Sequence, residues 1–410
     1  MDMNGYKTGV IGKNLTHSYS PMLHNLLGDM NYEIYDLAEK DLKQFIEKRD
    51  YKGLNVTIPY KTKVIEYIDE IEKKAEIIGS INTIVNDGLL KGYNTDYDGF
   101  LYMCEDKVKN KVCAVLGNGG VSLAVIAVLK DEMSKKIYVV SRNKKEGTID
   151  YNDLYLKQDE IEVIINTTPV GMYPHMLEQI IDLKKFKNLK YVFDLIYNPI
   201  NTMLVQEART LSIEASSGLD MLIKQAIVAD ELIFKRKHSI TVKQISKIIR
   251  DKQMNIVLIG LPGAGKSVVG EMLSKALNKN FIDLDIEIVK KTNKTINEIF
   301  RIDHGKTFRA IEQDIVKEVS LLHNTIIATG GGVVLNDDNM RLLKANGIII
   351  CLQRDLDKIV IDNNRPLLKS KQDLLNLYLQ RKELYDKYQD IIISNNGLLE
   401  DTINDIIKKL

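Results

Sequence analysis

Near the middle of the chain stands Gly260-Leu261-Pro262-Gly263-Ala264-Gly265-Lys266-Ser267, a stretch that decides the fold of the residues after it. It follows an apolar run over 255–259, typical of a buried strand, and precedes a helical pattern over 268–277. This strand–loop–helix context predicts a phosphate-binding loop. Its glycines would let backbone N–H groups surround phosphate oxygens at the positive end of the helix. Lys266 would reach the β- and γ-phosphates and Ser267 would bind Mg²⁺, whereas a glycine-rich turn without a ligand is the alternative.

Composition excludes several classes of protein. The chain has 410 residues, of which 44% are hydrophobic and 28% charged, with a net charge of +1. This length predicts two or three domains, and the balanced charge argues against nucleic-acid or membrane partners. No apolar run approaches the ~18 residues of a membrane span, and the N-terminus does not have the pattern of a signal peptide. Three scattered cysteines without metal-ligand or redox spacing favour a cytoplasmic protein.

Strand-like and helix-like segments alternate over the first half of the chain, which predicts an α/β domain with a mostly parallel sheet. Polar residues lie where the predicted strands end. Uncharged polar groups combined with one lysine and one aspartate suit a polyhydroxylated, acidic small molecule. The predicted strands are 8–11, 32–37 and 54–57, and the predicted helices are 23–28, 40–49 and 75–78.

A second strand–turn–helix unit begins with an apolar strand over 111–116, followed by Gly117-Asn118-Gly119-Gly120-Val121-Ser122. This turn is typical of dinucleotide binding, with a serine where the third glycine often stands. The next predicted strand, 137–140, ends in Ser141-Arg142-Asn143-Lys144-Lys145, which contains no acid. An acid there would accept from the ribose 2′-hydroxyl of NAD, whereas an arginine suits a 2′-phosphate. The pattern therefore favours NADP, and a solvated basic turn is the alternative.

A series of short motifs over about residues 5–236 resembles shikimate dehydrogenase, and their shared order is highly specific although each is weak alone. The motifs are Ser18-x-Ser20-Pro21, Asn55-Val56-Thr57-x-Pro59-x-Lys61, Asn82-Thr83, Asn94-Thr95-Asp96, the Gly117 turn, Asn166-x-Thr168-Pro169-x-Gly171-Met172, Asp194-x-x-Tyr197-x-Pro199 and Gln225-Ala226. The cofactor turn departs from the family at Asn118, where alanine is usual, and its basic tip begins with Ser141 instead of asparagine.

This resemblance implies reduction of 3-dehydroshikimate to shikimate by NADPH, with Lys61 and Asp96 as the catalytic pair. Hydride delivery to a ketone leaves a developing alkoxide, to which an ammonium can donate a proton. The implied substrate-binding residues are Ser18, Ser20, Thr57, Lys61, Asn82, Asp96, Tyr197 and Gln225. The implied NADP-binding residues are Gly117, Asn118, Gly119, Gly120, Val121, Ser141, Arg142, Asn143, Lys144, Leu195 and Gly218.

The residues after the phosphate-binding loop carry a second set of motifs. A strand predicted over 281–284 bears Asp283 and Asp285. Because these acids are two residues apart, both carboxylates would point to the same side of the strand, where one could bind Mg²⁺ and the other a substrate hydroxyl. Together with the loop, the set resembles shikimate kinase over about residues 254–410. Its further members are Phe308-Arg309-x-x-Glu312, Gly330-Gly331-Gly332, Arg365-Pro366-Leu367-Leu368 and Arg381.

The second resemblance implies ATP-dependent phosphorylation of shikimate at its 3-hydroxyl, with Asp285 accepting the proton. Two arginines suit one carboxylate because the guanidinium fork matches it. The segment 353–364 is a few residues shorter than usual in the family. The implied shikimate-binding residues are Asp285, Arg309, Gly331 and Arg381, with ATP on Gly263, Ala264, Gly265, Lys266, Ser267, Val268 and Arg365, and Mg²⁺ on Ser267 and Asp283.

We therefore expect an α/β protein with a substrate domain over 1–102, completed by a helix at about 219–238, and a Rossmann NADP domain over 103–218. A linker helix over 239–253 would lead to a P-loop kinase domain with a parallel sheet over 254–410. The hypothesis is a bifunctional cytoplasmic enzyme of the route to chorismate and aromatic amino acids, acting on small molecules, with a homodimer as one candidate assembly.

Two alternatives stay open: a dehydrogenase that uses quinate or NAD, and a nucleotide-sensing regulator with one inactive domain. The presence of Lys61, Asp96, Lys266 and Asp285 favours catalysis.

Overall fold

The computed structural model describes residues 7–361, apart from 14, 16 and 17, and residues 366–410. Its contacts divide the chain into two compact units. The first comprises Met1–Met172 and Gln179–Ile248, and the second comprises Tyr173–Glu178 and Ile249–Leu410. Two β-sheets belong to the first unit and one to the second, in the order that the sequence motifs predict. The finer domain boundaries stay predictions.

The first sheet is mixed rather than mostly parallel. Its six strands are β1 Thr8–Gly12, β2 Tyr32–Asp36, β3 Gly53–Val56, β4 Glu70–Ile71, β5 Thr83–Asn86 and β6 Leu90–Tyr93. They lie in the order β2-β1-β3-β5-β6-β4, in which β5 is antiparallel to both β3 and β6. The helices among these strands are α1 Ser20–Leu26, α2 Glu39–Glu47, α3 Lys73–Ile78 and α4 Thr95–Cys104. The parallel prediction is confirmed only for β1, β2, β3 and the β4–β6 pair.

The second sheet is fully parallel, in the order β11-β10-β9-β7-β8. Its strands are β7 Val112–Leu116, β8 Lys136–Val140, β9 Val163–Asn166, β10 Tyr191–Asp194 and β11 Glu214–Ser217. The helices are α5 Gly120–Asp131, α6 Tyr151–Leu156, α7 Met203–Thr210 and α8 Leu219–Phe234. Strand order reverses at β7, so the carboxyl ends of β7 and its neighbours form the crevice where such sheets bind ligands. The long helix α8 packs against α4 of the substrate-binding part.

The third sheet is also fully parallel, in the order β13-β14-β12-β15-β16. It follows α9 Val242–Gln253, which lies inside the predicted linker helix. The strands are β12 Asn255–Ile259, β13 Asn280–Asp283, β14 Thr325–Ala328, β15 Gly347–Gln353 and β16 Ile391–Ser394. The helices are α10 Lys266–Leu277, α11 Leu284–Thr292, α12 Ile296–Asp303, α13 Lys306–Val319, α14 Asp337–Ala345, α15 Lys371–Tyr388 and α16 Leu399–Lys409. Short 3₁₀ helices in the chain are Lys63–Tyr67, Glu105–Val108, Leu183–Lys185, Val333–Leu335 and Leu356–Lys358.

A buried charged cluster fastens the end of α8 to α1. Asp230 is fully buried, and the Arg236 guanidinium donates to both of its carboxylate oxygens, at 2.7 and 2.8 Å. Arg236 also donates to the Leu27 carbonyl at 2.9 Å. His238 Nε2 lies 2.6 Å from Asp230 Oδ1, and His24 Nδ1 lies 4.0 Å from Oδ2. The cluster therefore links the C-terminal end of α8 to α1.

The first unit should lose stability as the pH falls from about 6.5 to 4. Burial lowers the pKa of His24 from 6.5 to about 4, so below pH 6.5 the unfolded chain binds a proton that the folded chain resists. At 1.36 kcal/mol per pKa unit, this stabilises the folded state by about 3 kcal/mol above pH 6.5, and the contribution disappears as the pH approaches 4. The urea midpoint of unfolding, followed by circular dichroism at pH 7 and at pH 5, measures this change.

A His24→Gln variant is the matched control, because glutamine keeps a polar side chain that does not titrate. Its midpoint should change less than that of the parent chain between the two pH values. Burial raises the pKa of Asp194 to about 6, so protonation of this carboxyl increases stability as the pH falls. This effect opposes that of His24 but is the same in both chains. The same pH dependence in both chains would exclude His24 as the cause.

Candidate active sites

Lys61 and Asp96 form an ion pair at the edge of the first sheet. Lys61 Nζ lies 2.5 Å from Asp96 Oδ2, and the side chains are only 12% and 7% exposed. Asp96 lies in the first turn of α4, whose N-cap Asn94 accepts a hydrogen bond from the Tyr97 N–H. An ammonium held in this way is a positioned donor rather than a freely moving surface lysine. The structure therefore brings the predicted catalytic pair together.

Asn82 and Gln225 join in one polar network with Thr95. Asn82 Nδ2 donates to Thr95 Oγ1 at 3.0 Å and to Gln225 Oε1 at 3.4 Å, while its Oδ1 accepts from the Thr95 N–H at 2.7 Å. The residue before Asn82, Ile81, donates its N–H to the Lys61 carbonyl at 2.8 Å. This connection places the network beside the catalytic pair. Thr95 belongs to the motif Asn94-Thr95-Asp96, but its part in this network is not predicted by the sequence.

Ser18, Ser20 and Tyr197 form a second group of the predicted substrate residues. Ser18 Oγ accepts from the Ser20 N–H at 3.2 Å, and the Tyr197 ring packs against the ring of Tyr19, with centroids 5.2 Å apart. Burial raises the pKa of Tyr197, so its phenol stays protonated and able to donate. Ser20 is the first residue of α1 and is partly buried. Thr57 directly follows β3 and is partly buried.

The turn after β7 requires a glycine at position 117 for steric reasons. Gly117 has φ +108°, and a Cβ there would lie 2.6 Å from Thr167 Oγ1. A Cβ at Gly120 would lie 3.3 Å from Lys61 Cβ, so the predicted cofactor turn lies beside the lysine predicted to be catalytic. Ser122 is buried in place of the third glycine and donates to the Gly119 carbonyl at 2.6 Å. Asn118 and Val121 belong to the same turn.

Two further predicted cofactor residues meet at the carboxyl end of β10. A Cβ at Gly218 would lie 2.1 Å from the Leu195 carbonyl oxygen, which excludes any larger residue there. The Gly218 N–H donates to the Ile196 carbonyl at 2.9 Å. This close approach brings the start of α8 to the edge of the crevice.

The basic tip after β8 is open to solvent. Arg142 and Asn143 are exposed, whereas Ser141 is buried and donates its N–H to the Ile149 carbonyl at 2.9 Å. Lys144 Nζ pairs with Asp153 Oδ2 at 2.7 Å. Arg142 makes no ion pair with any residue that the structure describes. An exposed, uncompensated guanidinium with no acid in the tip fits a ribose 2′-phosphate.

The phosphate-binding loop encloses Lys266 in the second unit. Lys266 Nζ donates to the Gly260 and Leu261 carbonyls, both at 2.9 Å. Gly263 and Gly265 have φ of +85° and +95°, a conformation that side chains rarely adopt, and Gly265 is the N-cap of α10. The loop has the backbone geometry that surrounds a phosphate.

Ser267 and Asp283 meet at the start of α10. Ser267 Oγ donates to Asp283 Oδ2 at 2.5 Å. A hydroxyl and a carboxylate beside a phosphate-binding loop are the hard oxygen ligands that Mg²⁺ takes, so these residues fit the ion.

The prediction of a strand bearing both acids is wrong. Strand β13 ends at Asp283, which becomes the N-cap of α11, and its Oδ1 accepts from the Asp285 N–H at 2.9 Å. Asp285 therefore lies in the first helical turn. A carboxylate satisfies the free N–H groups of a helix start, which explains why the chain turns into a helix here.

A cavity of about 500 Å³ opens beside the phosphate-binding loop. Ala264 and Asp283 are buried and absent from its lining, although Asp283 accepts a hydrogen bond from the lining residue Ser267. Arg365 lies outside the described residues. The cavity is lined by the predicted residues Gly263, Gly265, Lys266, Ser267, Val268, Asp285, Arg309, Gly331 and Arg381, and by Phe300, Glu312 and Arg354, to which the sequence assigned no role.

Two of the arginines that line this cavity were predicted to bind shikimate. Arg309 Nη1 lies 2.5 Å from Glu312 Oε2, a carboxylate that is 1% exposed and whose pKa is raised by burial. Arg381 Nη1 and the Tyr385 hydroxyl both donate to the Gly331 carbonyl, at 2.8 and 2.6 Å. Each arginine is thus positioned by contacts of its own, and the pair matches one bound carboxylate.

Comparison with known proteins follows the same division of the chain. The family description "Shikimate dehydrogenase substrate binding domain" matches residues 10–84, and "Shikimate kinase" matches residues 262–410. The shikimate dehydrogenase (NADP(+)) of Clostridium beijerinckii is 40% identical over 243 residues, which cover 55% of this chain and 90% of that protein. The chain belongs to the shikimate dehydrogenase family.

Solved structures of shikimate dehydrogenases support this assignment. A chorismate mutase/shikimate 5-dehydrogenase fusion protein from Clostridium acetobutylicum has a TM-score of 0.56 at 36% identity, covering 60% of this chain and 97% of that one. A shikimate dehydrogenase in complex with NADP⁺ has a TM-score of 0.53 at 32% identity, covering 61% and 96%. The predicted α/β fold and both family resemblances are confirmed.

The shikimate dehydrogenase part is an NADP enzyme, and the shikimate kinase domain uses ATP and Mg²⁺. Both assignments agree with the local geometry, namely the exposed Arg142 in the first unit and the Ser267–Asp283 pair in the second. Across the described part of the chain, no helix combines the length and the apolar character that crossing a bilayer requires.

Replacing Arg142 by alanine should raise the KM of the shikimate dehydrogenase for NADPH about 10- to 100-fold. The reason is loss of a charge-assisted hydrogen bond to the 2′-phosphate, worth roughly 1.5–3 kcal/mol. The KM for NADH should stay unchanged, because NADH has no such phosphate. Steady-state kinetics with both cofactors measures the two values, and Lys144→Ala is the control with a smaller effect because Lys144 already pairs with Asp153. Equal losses with NADH and NADPH would refute the assignment.

Proposed function

We propose that the chain is a bifunctional enzyme that makes shikimate and then phosphorylates it. In the first unit NADPH reduces 3-dehydroshikimate, and in the second ATP phosphorylates the 3-hydroxyl of shikimate. The observation that carries the proposal is that each unit brings predicted catalytic side chains close to a predicted nucleotide-binding turn. The Lys61–Asp96 pair stands beside a cofactor turn, and Asp285 shares a cavity with a phosphate-binding loop and two arginines.

The dehydrogenase residues would divide the work between binding and proton transfer. NADPH supplies the hydride when bound. Lys61 donates a proton to the developing alkoxide oxygen and stabilises its charge, while Asp96 holds the ammonium in place. Of the two polar groups, Ser18 and Tyr197 suit the carboxylate as hydroxyl donors, and the Asn82–Gln225 network suits the hydroxyls of the ring. A substrate that lacks these hydroxyls would leave buried amides unpaired and would bind poorly.

The kinase residues would hold shikimate in line with the nucleotide. Arg309 and Arg381 bind its carboxylate, and Asp285 orients the 3-hydroxyl and accepts its proton. The Lys266 ammonium, which donates to the Gly260 and Leu261 carbonyls in this structure, would donate to the β- and γ-phosphates of bound ATP instead. Mg²⁺, when held by Ser267 and Asp283, would neutralise phosphate charge. Buried Glu312 keeps Arg309 extended into the cavity.

We also propose the four-part domain division given above, namely 1–102 with 219–238, 103–218, 239–253 and 254–410. The two parallel sheets around β7 and β12 and the helix α9 support it. Small molecules are the proposed partners of both sites. A cytoplasmic location and a homodimer are further proposals, and sedimentation analysis of the purified chain tests the second of these.

A coupled assay tests the proposed function on the purified chain. NADPH absorbance is followed with 3-dehydroshikimate, ATP and Mg²⁺ are then added, and ADP is assayed. We expect NADPH loss, followed by ADP release that depends on the shikimate formed. Lys61→Met should abolish the first signal only, and Lys266→Met the second only. Activity with quinate and NAD alone would favour the alternative dehydrogenase. Turnover no greater than that of a chain carrying both Lys61→Met and Lys266→Met would favour a regulator.

A further inference from the structure

Arg354 lies at the edge of the phosphate-binding loop, on a strand end that carries no recognised motif. It directly follows β15, which pairs with β12 at Ile259↔Cys351, where β12 leads into the loop. The Leu352 carbonyl would lie 2.4 Å from a Cβ at Gly260, so the two strand ends touch. Arg354 Nη1 lies 3.9 Å from the Cβ position of Gly265, the residue that starts α10. The guanidinium thus stands beside the backbone that surrounds phosphate.

The loop that carries Arg354 is held firmly by its neighbours. The Asp355 N–H donates to Asn396 Oδ1 at 2.9 Å, and Asn396 Nδ2 donates back to Asp355 Oδ1 at 2.9 Å. The preceding Asn395 donates from Nδ2 to the Ala264 carbonyl at 2.8 Å. These contacts connect the ends of β15 and β16 to the phosphate-binding loop. Arg354 is therefore presented by a fixed backbone.

The guanidinium itself has no protein partner in the described part of the chain. Arg354 Nε is buried and makes no hydrogen bond there, and no carboxylate pairs with the side chain. Arg354 nevertheless lines the cavity with Lys266 and Asp285. A buried donor without a partner is unfavourable, so such a group in a binding cavity indicates a ligand that satisfies it.

The position within the cavity indicates which ligand this is. Arg309 lies at the glycine run, where a Cβ at Gly332 would come within 2.1 Å of its Nη2, and Arg381 donates to the Gly331 carbonyl. Those arginines therefore serve the proposed shikimate site. Arg354 lies at Gly265 instead, where a phosphate chain meets the helix start. A planar guanidinium with several donors suits phosphate oxygens bidentately.

We propose that Arg354 binds the phosphate chain of the nucleoside triphosphate on the loop and so sets nucleotide affinity in the second unit. This inference rests on the proposed kinase function. It adds Arg354 to the predicted nucleotide-binding residues, which otherwise lie in the phosphate-binding loop, at the start of α10 and at Arg365. It makes Arg354 a binding residue that strengthens the hold on ATP and ADP alike, since both carry phosphates at this end of α10.

Calorimetric titration of the full chain with MgADP and with a non-hydrolysable MgATP analogue tests the inference without turnover. Arg354→Gln should raise both dissociation constants about 10- to 100-fold, the range for loss of a charge-assisted hydrogen bond. Arg354→Lys should recover part of the affinity, because it keeps the charge without the fork. Lys358→Gln removes an exposed charge from the same loop outside the cavity and should have little effect. The KM for shikimate and the dehydrogenase rate should stay unchanged.

Two outcomes would overturn the inference. Dissociation constants within about twofold of the parent chain would mean that Arg354 does not bind nucleotide, and a raised KM for shikimate with unchanged nucleotide affinity would assign it to the acceptor. Failure of the proposed function is distinguishable, because a parent chain that binds MgADP but releases no ADP with shikimate refutes the kinase reaction alone. Thermal unfolding followed by circular dichroism verifies that each variant is folded.

Discussion

Replacement of Lys61 by methionine should lower kcat for NADPH-dependent reduction of 3-dehydroshikimate about 1,000-fold. A positioned general acid contributes roughly 100- to 10,000-fold, and the lost ammonium also stabilises the developing alkoxide. The substitution also removes the ion-pair partner of Asp96, so the Asp96 carboxylate, which is only 7% exposed, has no counter-ion in this variant. NADPH absorbance at saturating substrate measures the rate, and ATP-dependent phosphorylation of added shikimate should be unchanged.

Two further variants separate chemistry from structure. Asp96→Asn keeps Lys61 but removes its charged anchor, so it should lower kcat less than Lys61→Met. The double variant Lys61→Met, Asp96→Asn removes the unpaired carboxylate and should recover stability in urea without recovering rate. A Lys61→Met chain with more than a tenth of the parent kcat would show that Lys61 positions substrate and does not carry the proton.

Replacement of Asp285 by asparagine should lower kcat of shikimate phosphorylation about 1,000-fold, again within the range for a general base. Asparagine has nearly the same shape, and the backbone N–H that Asp283 caps remains, so α11 should begin at the same place. The calorimetric affinity for MgADP should change little because the proposed role of this carboxylate is toward the acceptor and not the nucleotide. ADP release coupled to a detecting enzyme measures the rate, and the dehydrogenase rate serves as the internal control.

Glu287→Gln is the matched control for this prediction. Glu287 lies in the same helical turn of α11 and pairs with Lys290 at 2.8 Å, outside the cavity lining. Its loss should leave the kinase rate within about twofold. If Asp285→Asn also retains a rate within a few-fold of the parent, the proton leaves the 3-hydroxyl by another route, and Asp285 only orients the acceptor.

The local sequence was enough to predict the structure wherever neighbouring residues alone determine the backbone geometry. The loop ending in Lys266-Ser267 and the turn at Gly117 were predicted correctly, because glycine spacing between a strand and a helix has few backbone solutions. The family motifs also marked Lys61 and Asp96, which the fold brings within 2.5 Å although they are 35 residues apart. The Rossmann and P-loop assignments likewise predicted the two fully parallel sheets, whereas the alternation of strand and helix patterns near the N-terminus wrongly predicted a mostly parallel first sheet.

Contacts between distant segments were decided only by the tertiary structure. Asn82 and Gln225 meet across 143 residues because α8 returns to the first sheet, and no local pattern contains that path. The antiparallel pairing of β5 and the helical position of Asp285 were mispredicted because both depend on neighbours that compete with local strand preference. Arg354 belongs to no motif, and its place beside Gly265 follows from the pairing of β15 with β12. By itself the sequence determined the chemistry of each part, because motifs depend on short-range spacing, whereas packing decided which side chains share a site.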